Sequence, residues 1–192
     1  MSRYLTALYD EHRSIAAVLH AMEFLVAEKR AGRMRFDPKV FRAMLYYLDV
    51  FPERVHHHHE EQYLFKALRR RSSEAVPTLD QLGAEHAGGL TAIRNLEQAL
   101  LRFIEGGDAE FAAFAAAVQK FVDAYRDHMR REEQEVMPLA EKALTKEDWA
   151  EIEAAFAQHE DPLKDAQGVD YHKIYSKIVA IAPAPLGLGP SC

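Results

Sequence analysis

Cysteine is almost missing from this chain: the single one, Cys192, is the last of 192 residues. One thiol excludes an internal disulfide, so a reducing compartment such as the cytoplasm is the expected setting. No apolar run approaches the roughly 18 residues that a membrane span requires, and the segment after Met1 lacks the apolar block of a secretory signal. No membrane association is expected. Basic residues are outnumbered, 24 against 30 acidic, for a net charge of −6. With no Lys/Arg stripe, nucleic acid is not an expected partner. Arg69-Arg70-Arg71 reads as a solvated helix C-terminus, where cations are favoured. Strand signals are scarce, and proline and glycine gather in the closing stretch Ala182–Pro190, which reads as a non-helical tail.

What is present is helical spacing. Leu5, Leu8, His12, Ile15, Leu19, Met22 and Val26 step by threes and fours, predicting a helix from about Ser2 to Arg30 with Gly32 as its stop. A second runs from Asp37, with Pro38 in the first turn, to Arg71, and Pro52 should kink or divide it. A third spans Thr78 to Glu105, and a fourth follows Gly106-Gly107 from Asp108 to Leu144. Short connections between long amphipathic helices predict an all-α antiparallel four-helix bundle over 1–144. Residues 145–192 are a short helical extension and tail, with helices expected from Thr145 to about His159 and near Tyr171–Ile181.

Polar residues interrupt the apolar stripes at corresponding places. His12, His56 or His57, His86 and His128 put a histidine on the core face of each helix. One histidine on an apolar face is ordinarily a hydrogen-bonded core residue. Four of them, joined by Glu60 or Glu61 and by Glu132 at four-residue offsets, converge on a metal site, because residues four apart stack on one helix face. Nitrogen and carboxylate donors without thiolate suit iron, manganese or zinc. Six or seven donors exceed a closed structural zinc site, so two metals with bridging carboxylates fit better. The register of the second helix stays open. The internal match His56-x-x-x-Glu60-Glu61-Gln62 with His128-x-x-x-Glu132-Glu133-Gln134 favours His56 and Glu60, whereas simple periodicity favours His57, Glu61, Leu64 and Leu68. His57 is a possible additional ligand. His58 and His59 are expected to face solvent or to stand behind the ligands, and His20, His159 and His172 to lie outside the site. Tyr125 could hydrogen-bond a ligand or fill core, and Gly89 could open space beside the site or only let helices approach closely.

Glu11-His12-Arg13, the His56–Phe65 segment, Glu85-His86, and His128-x-x-x-Glu132-Glu133 with Pro138 beyond resemble the hemerythrin-like, or HHE cation-binding, family over residues from about 5 to 140. The C-terminal stretch with Asp161-Pro162-Leu163 is similar to extensions of bacterial members. The resemblance implies an up-down-up-down bundle around two non-haem irons, oxo- or hydroxo-bridged. His12, His56, His86 and His128 would be terminal ligands, and Glu60 and Glu132 bridges. Oxygen-carrying members have an aspartate as the second bridge and a fifth histidine. Here Glu132 replaces the former and only His57 is available for the latter, so reversible oxygen transport is not expected. Ferritin-like enzymes use Glu-x-x-His, which is absent from these segments. The expected function is binding of, or reaction with, O2, NO or peroxide, in sensing or in protection against oxidative and nitrosative stress. The alternative is iron storage or sensing without turnover, with His58 and His59 as a metal entrance.

Overall fold

The computed structural model describes residues 2–158 and 171–189. Among them the regular elements are all helical, and the one strand-like feature is an isolated bridge between Pro183 and Gly189. Helix α1 spans Arg3–Arg30; Ser2 caps it by accepting a hydrogen bond from the Leu5 amide at 3.1 Å. The chain leaves it through Gly32, whose φ of 67° suits a residue without a Cβ. Asp37 caps α2, Pro38–Val50, accepting from the Lys39 amide at 2.8 Å.

Pro52 does divide the second rod, and beyond it the winding departs from ordinary α-helix. A π segment, Pro52–His56, leads into α3, His57–His59; a second π segment, Glu60–Phe65, leads into α4, Lys66–Arg71. The third rod is α5, Val76–Gly106, starting slightly before Thr78 because Pro77 fits a first helical turn. Gly107, at φ 66°, makes the turn to α6, Asp108–Arg131, which continues through a third π segment, Glu132–Val136, into α7, Met137–Ala143.

Thr145 and Asp148 then form a reciprocal cap. Thr145 Oγ1 accepts from the Asp148 amide at 3.2 Å, and Asp148 accepts from the Thr145 amide at 2.9 Å, starting α8, Lys146–Gln158. The last helix is α9, Tyr171–Ile181, packed on α2. His159, Asp161-Pro162-Leu163, Cys192 and the His172 side chain lie outside the described residues. The tail is non-helical as expected, and it folds back: the Leu188 amide donates to Val179 O and the Gly189 amide to Ala182 O, both at 2.8 Å.

Helix α5 packs on α6, α1 on α6, and α2 on α5. The core has two apolar clusters, and their boundary positions the site. One contains Ile15, Val50, Phe51, Ile93, Tyr125 and Met129; the other contains Leu8, Leu64, Phe65, Leu82, Val136 and Met137. Every rod passes from one to the other through its polar residues: Leu8–His12–Ile15, Phe51–His56–Glu60–Leu64, Leu82–His86–Ile93 and Met129–Glu132–Val136. The clusters supply the burial, about 1.5–3 kcal/mol for each large side chain, that holds a polar layer in the interior.

Candidate metal centre

Four-residue steps in the second and fourth rods explain the π segments. His56, Glu60, Leu64 and Leu68 are all buried, as are His128, Glu132, Val136 and Ala140. In an ideal α-helix each such step drifts about 40° around the axis, because 3.6 residues complete a turn. The wider π turns absorb that drift and keep all four positions of each set inward. The structure therefore turns His56 and Glu60 inward, and Glu61 outward to the His86 ring. The same change of pitch brings His57 and His59 inside. His58 is exposed, as expected, but His59 is 8 % exposed. Its ring stacks on Tyr63 and meets Phe156 edge-on, each at 5.6 Å. Helix α8 covers that side, so His59 is not exposed as the entrance reading assumed. His20 is exposed.

The inward groups form two histidine pairs joined by two carboxylates. Nε2 of His12 and Nε2 of His56 are 3.1 Å apart, as are Nε2 of His86 and Nε2 of His128. Two nitrogens bound to one ion at about 2.1 Å and a right angle would stand about 3.0 Å apart. Glu60 lies between the pairs, with Oε1 3.8 Å from His12, and Oε2 3.5 Å from His56 and 3.7 Å from His86. Glu132 mirrors it, with Oε2 3.4 Å from His12, and Oε1 3.2 Å from His128 and 3.7 Å from His86. Two groups of donors result, His12, His56, Glu60, Glu132 and His57, Glu60, His86, His128, each with ligand atoms within 4.8 Å of one another.

The carboxylates make the test of fit. Glu60 and Glu132 are 0 % and 1 % exposed, and none of their four oxygens has a hydrogen-bond partner. Buried anions without donors are unfavourable by several kcal/mol, and cations between the histidine pairs would satisfy all four oxygens at once. The outer ring nitrogens are satisfied already. Nδ1 of His12 pairs with Glu133 at 2.9 Å, Nδ1 of His56 with Glu11 at 2.6 Å, Nδ1 of His86 with Glu61 at 3.1 Å, and Nδ1 of His128 with Glu85 at 2.8 Å. Each contact fixes the tautomer that aims Nε2 inward. Arg131 holds Glu85 in turn, 2.7 Å from both oxygens.

Glu11, Glu85 and Glu133 had no role assigned from sequence, and Glu61 was weighed only as an alternative ligand to Glu60. The signal was their adjacency to a ligand. A residue next to an inward ligand points about 100° away, where it reaches a histidine on a neighbouring rod. Glu53 was missed entirely. Its carboxylate accepts from the Tyr125 hydroxyl at 2.9 Å, and that hydroxyl lies 3.3 Å from Nε2 of His57. His57 thus stands within the second donor group, but its ring nitrogens face Tyr125 and Glu53, and its ring stacks on His86 at 4.1 Å. Gly89 opens space, as its position suggested: a Cβ there would collide with Glu53.

Protonation follows the carboxylates. Burial lowers the His12 imidazole, but the close carboxylates of Glu132, Glu133 and Glu60 outweigh it and push the group up to about 12. His128 rises to about 9, burial being overcome by the charge of Glu132, 3.2 Å away. Burial takes His56 down to about 4, with the Glu60 charge opposing and the His12 charge assisting. Burial would raise Glu132; the His128 charge and the close approach of the His12, His128 and His86 rings hold it well below the carboxylate range. A 3.1 Å contact between two ring nitrogens requires one proton, so the metal-free centre holds about one proton per pair where a cation would sit.

No curated protein and no solved structure matches the chain. The family model for the hemerythrin HHE cation binding domain matches residues 4–140, which spans all four rods and ends three residues before the close of α7. A polar layer of imidazoles and glutamates across that whole span is what a cation-binding domain needs, and the chain belongs to the hemerythrin HHE cation-binding family.

Proposed function

We propose that the chain is a non-haem diiron protein that binds or reacts with O2, NO or a peroxide, in sensing or in protection against oxidative and nitrosative stress, within a reducing compartment such as the cytoplasm. The observation that carries the reading is the pair of orphaned carboxylates, Glu60 and Glu132, between two histidine pairs. His12 and His56 would hold one ion and His86 and His128 the other. Glu60 and Glu132 would span both, with His57 in reach of the second position. The donor set, nitrogen and carboxylate without thiolate, suits iron. Two such ions supply a pair of electrons and an open coordination position for a small ligand.

The chain does the rest. Glu11, Glu61, Glu85 and Glu133 orient the four rings. The two apolar clusters close the layer from both ends and keep bulk water out. The Tyr125 hydroxyl holds its proton toward Glu53 beside the His86 side. Residues 1–144 would form the up-down-up-down bundle, and 145–192 an extension, of which α8 lies against α1 and the second π segment.

The experiment is anaerobic loading with ferrous iron, metal analysis per chain, then addition of O2, NO or hydrogen peroxide with visible spectra recorded. Two irons per chain and a new absorption band on addition are expected. Two irons with an unchanged spectrum would leave iron holding without turnover as the function, and a chain without iron would overturn the reading.

A further inference from the structure

A cleft of about 610 Å³ opens between α5 and α6 beside the His86–His128 half of the centre. Its walls are apolar, formed by Ala92 and Leu96 on α5 and by Ala117, Phe121 and Ala124 on α6. On the His12–His56 half, α9 packs on α2, with Tyr175 5.8 Å from Tyr47. A diatomic ligand would need far less room.

The floor is polar and incomplete. The Glu53 side chain is 1 % exposed and lines the cleft. Its Oε1 accepts the Tyr125 hydroxyl, but its Oε2 accepts nothing. Nδ1 of His57 lies 3.4 Å away and makes no hydrogen bond either. With the tyrosine proton directed at Glu53, the Glu53 oxygen left over is an acceptor. Buried polar atoms are nearly always paired in native proteins, and Glu53 has no part in either donor group of the metal centre. Gly89 supports the same arrangement, because any side chain there would displace the Glu53 carboxylate.

We propose that this cleft binds a small uncharged organic molecule with an apolar body and a terminal O–H, an alcohol or an organic hydroperoxide. The O–H is donated to Glu53 Oε2, and the body lies against Ala92, Leu96, Ala117 and Phe121. Glu53, Glu85 and Asp127 and the bases Lys120 and Arg131 all line the cleft, so neither sign of charge meets a field of the opposite sign alone, and an uncharged molecule fits. The proposal refines the peroxide part of the proposed function. It rests on that reading only for what the bound oxygen meets next, since His57 on the cleft floor stacks against His86.

The test is calorimetric titration of the as-isolated full-length protein with three probes of one shape: 2-phenyl-2-propanol, cumene hydroperoxide and cumene. Both O–H compounds are expected to bind about tenfold or more tightly than cumene, the worth of a hydrogen bond to a charged acceptor. In Glu53→Gln that preference should shrink while cumene binding persists. In Ala117→Phe all three should weaken about tenfold or more with helix content unchanged, because the added ring fills the cleft. The tighter of the two O–H probes identifies the class. Equal affinity for all three, or binding that Ala117→Phe leaves intact, would overturn the proposal, as would no binding at all. Binding in a protein that fails to load two irons would sink the diiron reading and leave the cleft standing, and the converse result separates the two equally well.

Discussion

Glu11 on α1 holds Nδ1 of His56, on the next rod, at 2.6 Å, although its own neighbour His12 stands in the same group of candidate donors. The exchange is general. Glu85, beside His86, holds His128; Glu61 holds His86; Glu133 holds His12. Each rod thus contributes to the orientation of a ring on another rod, so the centre cannot form until the rods have packed. The first two rods and the last two repeat this scheme around the layer.

Removing one orienting carboxylate should therefore weaken metal holding without deleting a ligand. Glu11→Gln or Glu85→Gln is expected to lower affinity about ten- to a hundredfold, the usual cost of losing such a partner. Competition against a calibrated chelator measures it, and Glu28→Gln, near the far end of α1, is the control. Affinity unchanged in both variants would show that packing alone sets the rings.

Glu60 predicts a conflict between stability and binding. Both of its oxygens are buried without a hydrogen-bond partner, the nearest imidazole nitrogen, of His56, standing 3.5 Å away. Glu60→Gln should raise the stability of metal-free protein by about 1–2 kcal/mol, in the range seen when buried charges are replaced, and should reduce the metal held. Urea denaturation with metal analysis reads both effects. A variant less stable than the parent when both are metal-free would mean that Glu60 is paired in solution.

Much of this was legible in the sequence. The apolar stripes gave four rods and the positions of His12, His86, His128 and Glu132, because a 3.6-residue period is local and strong. The Thr145–Asp148 cap announced α8. The second rod resisted, since counting threes and fours assumes one helical pitch throughout. The constant steps from His56 through Glu60 and Leu64 to Leu68 were the sign of a wider turn. His59 and Glu53 depended on contacts far along the chain, Phe156 and Tyr125, which no local pattern encodes.

Metal binding should release protons. With His12 raised to about 12 and His128 to about 9, each pair carries about one proton at neutral pH, and a cation must displace it. About two protons should be released per chain on full loading at pH 7, and affinity should rise with pH toward 9 as His128 deprotonates. Calorimetry in buffers of different ionisation enthalpy counts them. Release of fewer than about one proton would contradict shared protons between the paired rings.

Asp148 gives a pH dependence of the opposite kind, away from the centre. Hydrogen bonds from Arg71, at 2.7 and 3.0 Å, and from the Thr145 amide hold its carboxyl down at about 2 against an ordinary 3.8. The folded state therefore binds fewer protons than the unfolded chain in that interval. Its stabilisation is complete above about pH 4 and is lost as pH falls through 2. Asp148→Asn should cost about 1 kcal/mol at pH 7, as the loss of a helix cap does, with the gap from the parent closing between about pH 4 and 2. Thermal denaturation followed by circular dichroism across that range measures it. The consequence reaches the interior, because α8 carries Phe156 against His59 and Tyr4: the variant should also exchange the amide protons of α8 faster while those of α5 and α6 stay protected. A gap that stays constant from about pH 7 to 2 would assign the lost stability to packing rather than to the charged cap.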